Sequence, residues 1–148
     1  MKILVDGDAC PVNSEIMEIS TKYNIEVLYF CSVCHYSETV KFSNRILVDN
    51  EDQAVDMKII NYLNSGDIVI TQDYGLASLV LNKGAYALSF NGESFTNDNI
   101  ELYLYQRFLS LEQRKKKLKT SKQKKRGKIE DFKFKKTLEN LIGQLNNP

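Results

Sequence analysis

Met1-Lys-Ile-Leu-Val-Asp-Gly-Asp-Ala-Cys-Pro11 halts an apolar run abruptly at two aspartates and a proline. Ile3, Leu4 and Val5 read as a short strand covered on both faces, because a continuous apolar run bounded by a turn signal has that pattern. Asp6 and Asp8 follow where the strand ends. Residues two apart in extended chain point the same way, so a pleat that persists through Gly7 turns both carboxylates into one crevice. Pro11 suits the first turn of a helix, where its missing N–H has no intrahelical partner to lose. Ligands of open α/β sheets bind outside the carboxyl ends of the strands, which makes Asp6 and Asp8 the first candidates for chemistry. A plainer role stands beside this one: aspartate caps helix N-termini and meets the positive end of the dipole, and that alone would explain Asp8.

Outward from this stretch, Val12, Ile16, Ile19 and Tyr23 recur at helical spacing and predict a helix over 11–23. Only Asn24 separates it from a second strand, Ile25–Phe30. Strand, helix, strand in this span is a βαβ unit, which implies a parallel pair. Residues 35–44 are mostly polar and read as a loop over the strand ends, opened by His35, the single histidine. Arg45–Val48 is a third strand.

Acids then return at Asp49, Glu51, Asp52 and Asp56. A helix N-terminus explains the first three. Asp56 is expected one to two turns inside the helix, heading a stripe of Ile59, Ile60 and Leu63, with Asp52 at its outer end. A carboxylate entering such a face is costly unless it is paired or bound to a metal. Gly66-Asp67 ends the helix, and a fourth strand, Ile68–Thr71, runs into Gln72-Asp73-Tyr74-Gly75 and a helix carrying Leu76, Leu79 and Val80. The pattern of the first strand is thus repeated. Asp6, Asp8, Asp56 and Asp73 could converge, and converging carboxylates repel unless a cation sits among them. Mg²⁺ or Mn²⁺, hard ions with oxygen ligands, resolve that repulsion. A fifth strand over Gly84–Phe90, a turn at Asn91-Gly92-Glu93 and a helix over about 97–111 capped by Thr96 complete this part, with Ile100, Leu104, Phe108 and Leu111 on one helical face.

The charge is divided along the chain. Residues 1–113 hold 7 Lys and Arg against 16 Asp and Glu, whereas residues 114–148 hold 13 against 3. The division sets the expected organisation: an α/β domain over 1–113 and a basic C-terminal extension over 114–148. Arg114, Lys115, Lys116, Lys117, Lys119, Lys122, Lys124, Lys125, Arg126 and Lys128 form a segment too charged for a core and suited to a polyanion, with nucleic acid the usual partner. From Phe134 a helical period returns through Leu138, Leu141, Ile142 and Leu145, so this helix is expected to dock onto the domain or onto a second copy of the chain as a homodimer.

The longest apolar runs fall far short of the ~20 residues that cross a bilayer, so no membrane partner is expected. Aspartate interrupts the N-terminus too early for a signal peptide, and a cytoplasmic location follows as the default expectation. Cys31-Ser-Val-Cys34-His35 matches the C-x-x-C-H pattern of c-type haem attachment, which a cytoplasmic chain does not undergo. Zinc would need a better second ligand pair than Cys10 and His35. A redox pair or coincidence at a strand end remain for these cysteines.

Carboxylates around Mg²⁺ or Mn²⁺ beside a basic arm fit phosphodiester hydrolysis. Val5-Asp-Gly-Asp-Ala-Cys-Pro11, Gly66-Asp-Ile-Val-Ile-Thr-Gln-Asp-Tyr-Gly-Leu-Ala77, Gly84-Ala85 with its strand, and Asn91-Gly-Glu93 followed by Thr96 and Asn99-Ile100 together resemble the YaiI/YqxD family of uncharacterised bacterial proteins with a PIN-like domain. The resemblance covers residues 1 to about 110. It implies a three-layer α/β/α fold with a mainly parallel central sheet, related to Mg²⁺/Mn²⁺-dependent ribonucleases, and so favours RNA over DNA. Asp6, with Asp8 beside it, matches the first-strand acid of that pattern, Asp56 the helix acid and Asp73 the acid after the fourth strand. Two departures stand out: the helix acid is usually glutamate, and Ser89 and Asn91 occupy the region where a fourth acid would follow the fifth strand. A one-metal or degenerate site therefore stays open, as do a non-catalytic nucleic-acid-binding protein and a small-molecule phosphohydrolase.

Overall fold

The computed structural model describes residues 1–33, 42, 44–51, 53–116 and 125–147. Strands β1 (Ile3–Asp6), β2 (Val27–Ser32), β3 (Arg45–Val48), β4 (Ile68–Ile70), β5 (Tyr86–Leu88) and β6 (Ser94–Phe95) form one sheet in the order β3-β2-β1-β4-β5-β6. The first five are parallel, and β6 returns antiparallel to β5. Helices α1 (Asn13–Tyr23) and α5 (Lys128–Asn146) cover one face. Helices α2 (Ala54–Tyr62), α3 (Tyr74–Asn82) and α4 (Ile100–Lys115) cover the other. The result is the three-layer α/β/α arrangement, with a C-terminal helix.

Alternation along the strands explains the layers. Ile3 and Val5 of β1 and Ile68 and Ile70 of β4 face α1 and α5, packing with Ile16, Ile19, Phe134, Leu138 and Ile142. Leu4 and Val69 face the other way, toward Val55, Ile59, Leu76 and Val80. β1 and β4 are neighbours, and the strand order reverses between them. That reversal is the switch point at which an open α/β sheet forms its crevice.

Several expected boundaries shift. Pro11 lies outside α1, which begins at Asn13 with Val12 as its cap residue. The turn after β1 uses Ala9 at φ 62° and a Cys10 N–H to Gly7 O bond, and it delivers Val12 fully buried into the core ahead of the helix. Asn24 is in the left-handed conformation and donates to Ser20 and Thr21, so the chain needs Ile25 and Glu26 before β2 can start.

α2 also begins later than its acids suggest. Gln53 takes a left-handed backbone at φ 63°, which places Asp56 in the first turn rather than one to two turns inside. The buried stripe is Val55, Ile59 and Leu63, with Asp56 and Ile60 on its flank. Thr96 and Asn99 exchange backbone-to-side-chain hydrogen bonds at 2.8 and 3.3 Å, a reciprocal turn that holds the chain until α4 starts at Ile100. Of the expected α4 face only Ile100 is buried, while Phe108 and Leu111 are exposed. Most of the polar loop expected over 35–44, Cys34, His35 and Asp52 lie outside the described residues.

Of the two docking sites expected for the C-terminal helix, α5 takes the domain itself. Phe134, Leu138 and Ile142 are fully buried, and Lys135 Nζ reaches Glu18 of α1 at 2.7 Å. Arg126 fixes the entry to the helix: its guanidinium donates to Phe90 O, Asn91 Oδ1 and Asp131 Oδ1. Gly92, at φ 82°, completes the fit, because a Cβ there would stand 2.8 Å from the Lys133 carbonyl.

Phe134→Ala should therefore lower the unfolding free energy by about 3–5 kcal/mol in urea titration. Phe132→Ala, on the exposed side of the same helix, should change it by no more than about 0.5 kcal/mol.

Candidate active site

Four aspartates meet at the carboxyl edge of the sheet. Asp6 closes β1 on the face that carries Leu4, turned toward α2 and α3. Thr71, just beyond β4, donates its hydroxyl to Asp6 Oδ2 at 2.8 Å and accepts the Asp73 N–H at 3.0 Å. One hydroxyl thereby ties the two acid-bearing strand ends together. Asp73 caps α3, its Oδ1 accepting from the N–H groups of Gly75 and Leu76. Asp8 Oδ1 accepts the Ser32 N–H at 3.0 Å, linking the turn after β1 to the end of β2. The cap residue of α1 is Val12, whose side chain makes no capping hydrogen bond.

A cavity of about 260 Å³ is lined by all four carboxylates, Asp6, Asp8, Asp56 and Asp73. A second, of about 430 Å³, joins Asp6, Asp8 and Asp73 to Gln72, Phe90 and Arg107. Asp73 borders both, and Arg107 Nη1 stands 3.6 Å from its Oδ1. Gly75 keeps that approach open, since a Cβ there would come within 3.2 Å of Asp73 Oδ1.

Crowding of like charge registers in the titration of two members. Burial pushes Asp6 up from 3.8 to about 6, with Asp8 and Asp73 adding to the rise while the Thr71 hydroxyl opposes it. Asp56 rises to about 7, again first through burial, then through Asp73 and Asp6 and a hydrogen bond with Asp73, with Arg107 opposing. Burial is the larger cause in both, and the like charge of the neighbouring carboxylates adds to it. Among the described residues no group of three or more His, Cys, Asp or Glu side chains is placed closely enough to hold a metal ion as it stands.

The basic residues are placed less uniformly. Arg114 and Lys115 end α4, Lys116 follows it, and these three, Lys125 and Lys128 are exposed. Arg126 is half-buried and holds α5, and Lys117, Lys119, Lys122 and Lys124 lie outside the described residues. Desolvation pushes the partly buried Cys10 thiol up to about 12, which keeps it from the thiolate form. Cys31 sits inside β2 and is raised for the same reason.

Arg107 and Thr71 are the members that sequence reasoning missed. Arg107 had one signal: it is the only Lys or Arg between Lys83 and Arg114. Thr71 had none beyond standing two residues before Asp73.

Comparison with known proteins gives the family. The model of the family described as uncharacterised BCR, YaiI/YqxD family, matches residues 4–144. The chain belongs to this family. The match runs through the basic segment and into α5, beyond the portion over which the motifs resemble it. A UPF0178 protein of Clostridium tetani is 42% identical over 144 residues, covering 97% of this chain and 98% of that protein. One from Lachnoclostridium phytofermentans is 40% identical over 152 residues, covering 99% and 100%. A third, from Oceanobacillus iheyensis, is 47% identical over 117 residues, covering 78% and 80%. No solved structure matches. Among the described residues no helix is long and apolar enough to cross a membrane.

The raised Asp6 carboxylate gives a pH test with a definite sign. A folded-state value above 3.8 means that stability is complete below about pH 4 and declines as pH rises through about 6. Ionising such a group costs at most about 3 kcal/mol, which residual solvent contact reduces to about 1–2 kcal/mol. Asp6→Asn, which still accepts from Thr71, should therefore be more stable than wild type by about 1–2 kcal/mol at pH 8 in metal-free buffer. Urea titrations across this range should show the gap closing toward pH 4.

Proposed function

We propose that the protein is a divalent-metal-dependent nuclease that hydrolyses phosphodiester bonds, in RNA rather than DNA. The observation that carries this reading is the single cavity lined by Asp6, Asp8, Asp56 and Asp73 at the switch point of the sheet. The donors are all carboxylate oxygens, the chemistry that hard ions such as Mg²⁺ and Mn²⁺ prefer. Burial first, and the neighbouring carboxylates after it, raise Asp6 and Asp56, so a cation bound among them would relieve the second of these costs. Asp6, Asp56 and Asp73 would hold the ion, with Asp8 at the rim.

A bound ion of this kind supplies a water of lowered pKa and neutralises charge on the scissile phosphate. The protein's own side chains do the rest. Arg107, half-exposed on the cavity that joins Asp6, Asp8 and Asp73 to Gln72 and Phe90, offers its guanidinium to a phosphate oxygen. The Thr71 bridge fixes the spacing between Asp6 and Asp73. Exposed Arg114, Lys115, Lys116, Lys125 and Lys128 attract the backbone beyond the site. The preference for RNA rests on the PIN-like fold.

Calorimetric titration with Mn²⁺ and Mg²⁺ should show binding in the wild type and none in an Asp6→Asn, Asp73→Asn double variant, and only the wild type should cleave a single-stranded RNA when Mn²⁺ is added. RNA that is bound but left intact at millimolar Mn²⁺ would replace this reading with that of a non-catalytic binding protein. Changing Lys115, Lys116, Lys125 and Lys128 together to Gln should make the slope of log affinity against log salt shallower by up to about 3. Filter binding over a salt series measures that slope.

A further inference from the structure

Beside the acidic cavity lies a third, of about 400 Å³, which the nuclease chemistry leaves unused. It runs between α2 and α3. Its floor and walls are apolar, made by Met57, Ile60, Leu76 and Leu79. Two of these stand well out of the core: Met57 is 67% and Leu79 51% exposed, whereas Leu76 beside them is buried. Gln53, Asn61, Asp56, Asp73 and Arg107 also line it. This slot thus joins four apolar side chains to two carboxamides, two carboxylates and a guanidinium. Its volume lies in the range of pockets that enclose small ligands.

We infer that this slot is a nucleobase subsite, which takes the base of a nucleotide whose phosphate lies on Arg107. The inference rests on the nuclease reading and extends it to substrate selection. An unpaired base is a flat body with two apolar faces and a hydrogen-bonding edge, and it is bound by packing its faces on apolar side chains while amides address its edge. Met57 and Leu79 supply the first; Gln53 and Asn61 supply the second, each with donor and acceptor on one group. Arg107 supplies the charge complement, because it borders both this slot and the cavity holding Asp6 and Asp8. Continuity fixes the occupant: a ligand filling the slot and reaching Arg107 has an apolar planar end and an anionic end. A base inside a duplex cannot enter, so the slot selects single strands.

Each 5′-mononucleotide and ribose 5-phosphate should be titrated into wild type, into Arg107→Gln, and into a Met57→Gln, Leu79→Gln double variant. Both apolar positions are exposed, so the double variant should melt at the wild-type temperature. At least one nucleotide should bind wild type tenfold or more tightly than ribose 5-phosphate. The double variant should lose that ratio while keeping its affinity for ribose 5-phosphate, and Arg107→Gln should weaken both ligands together. Equal affinity of all nucleotides and ribose 5-phosphate for wild type would overturn the subsite, as would a ratio that survives in a folded double variant. Because Asp56 and Asp73 also line the slot, the titrations should be run with and without Mg²⁺; no nucleotide binding in either buffer would overturn the subsite, whereas a failed Mn²⁺ titration alone would sink only the nuclease reading.

Discussion

Everything at the candidate site depends on β1 and β4 lying side by side in parallel. Ile3, Leu4 and Val5 pair with Ile68, Val69 and Ile70 in register, and all six are fully buried. Residues so apolar hold the two strands where neither can slip without exposing a face. Parallel direction then brings both carboxyl ends to one edge, and the first polar groups beyond the buried runs, Asp6 and Thr71, must meet there. Asp73 follows from Thr71 through two residues of chain. Asp56 follows from the packing of Val55 and Ile59 on the same face of the sheet.

The opposite edge shows what a partnered aspartate looks like in this fold. Asp67 is nearly buried, and its carboxylate accepts from Lys2 N, Lys2 Nζ and Asn64 N. Burial pushes that group up, but Lys2 and the backbone donors outweigh it, and its pKa is lowered. Asp6 and Asp56 are raised instead. The stability contributed by Asp67 is present above the usual carboxylate range and lost on acidification, whereas Asp6 and Asp56 oppose folding as they ionise. One sheet thus joins a neutralised edge to an edge with an excess of negative charge, and the second is where a cation or the guanidinium of Arg107 has most to gain.

The C-terminal helix belongs to the same physics although the charge of its lead-in sets it apart. Burial of Phe134, Leu138 and Ile142 against β1, β4 and α1 makes α5 the outer layer over half the sheet. Arg126 is the hinge between the two characters of this region. In the sequence it is one more cation in a basic run; in the fold it binds the carbonyl of Phe90 and the side chains of Asn91 and Asp131. Phe90 also lines the cavity shared by Asp6 and Asp8, so the anchor of α5 stands next to the site.

Local chemistry made much of this legible. Apolar runs ended by polar residues marked β1 and β4 nearly to the residue, because a strand buried on both faces must be continuous in its hydrophobicity. The same reasoning singled out Asp6, Asp8, Asp56 and Asp73, which do line one cavity. β6 escaped notice because two residues carry no period of their own, and only pairing with β5 makes them a strand. The start of α2 turned on a left-handed Gln53, a conformation that glutamine does not advertise. Arg107 stands 34 positions from Asp73 on another helix, and nothing in its neighbourhood encodes that meeting. Sequence by itself determined which segments are apolar enough to be buried and where the acids interrupt them, since both are properties of neighbouring residues. Tertiary structure alone decided which carboxylate oxygen meets a backbone N–H, which aspartates are desolvated, and that Met57 and Leu79 stay exposed as the walls of a slot. Those outcomes depend on contacts between residues far apart in the chain.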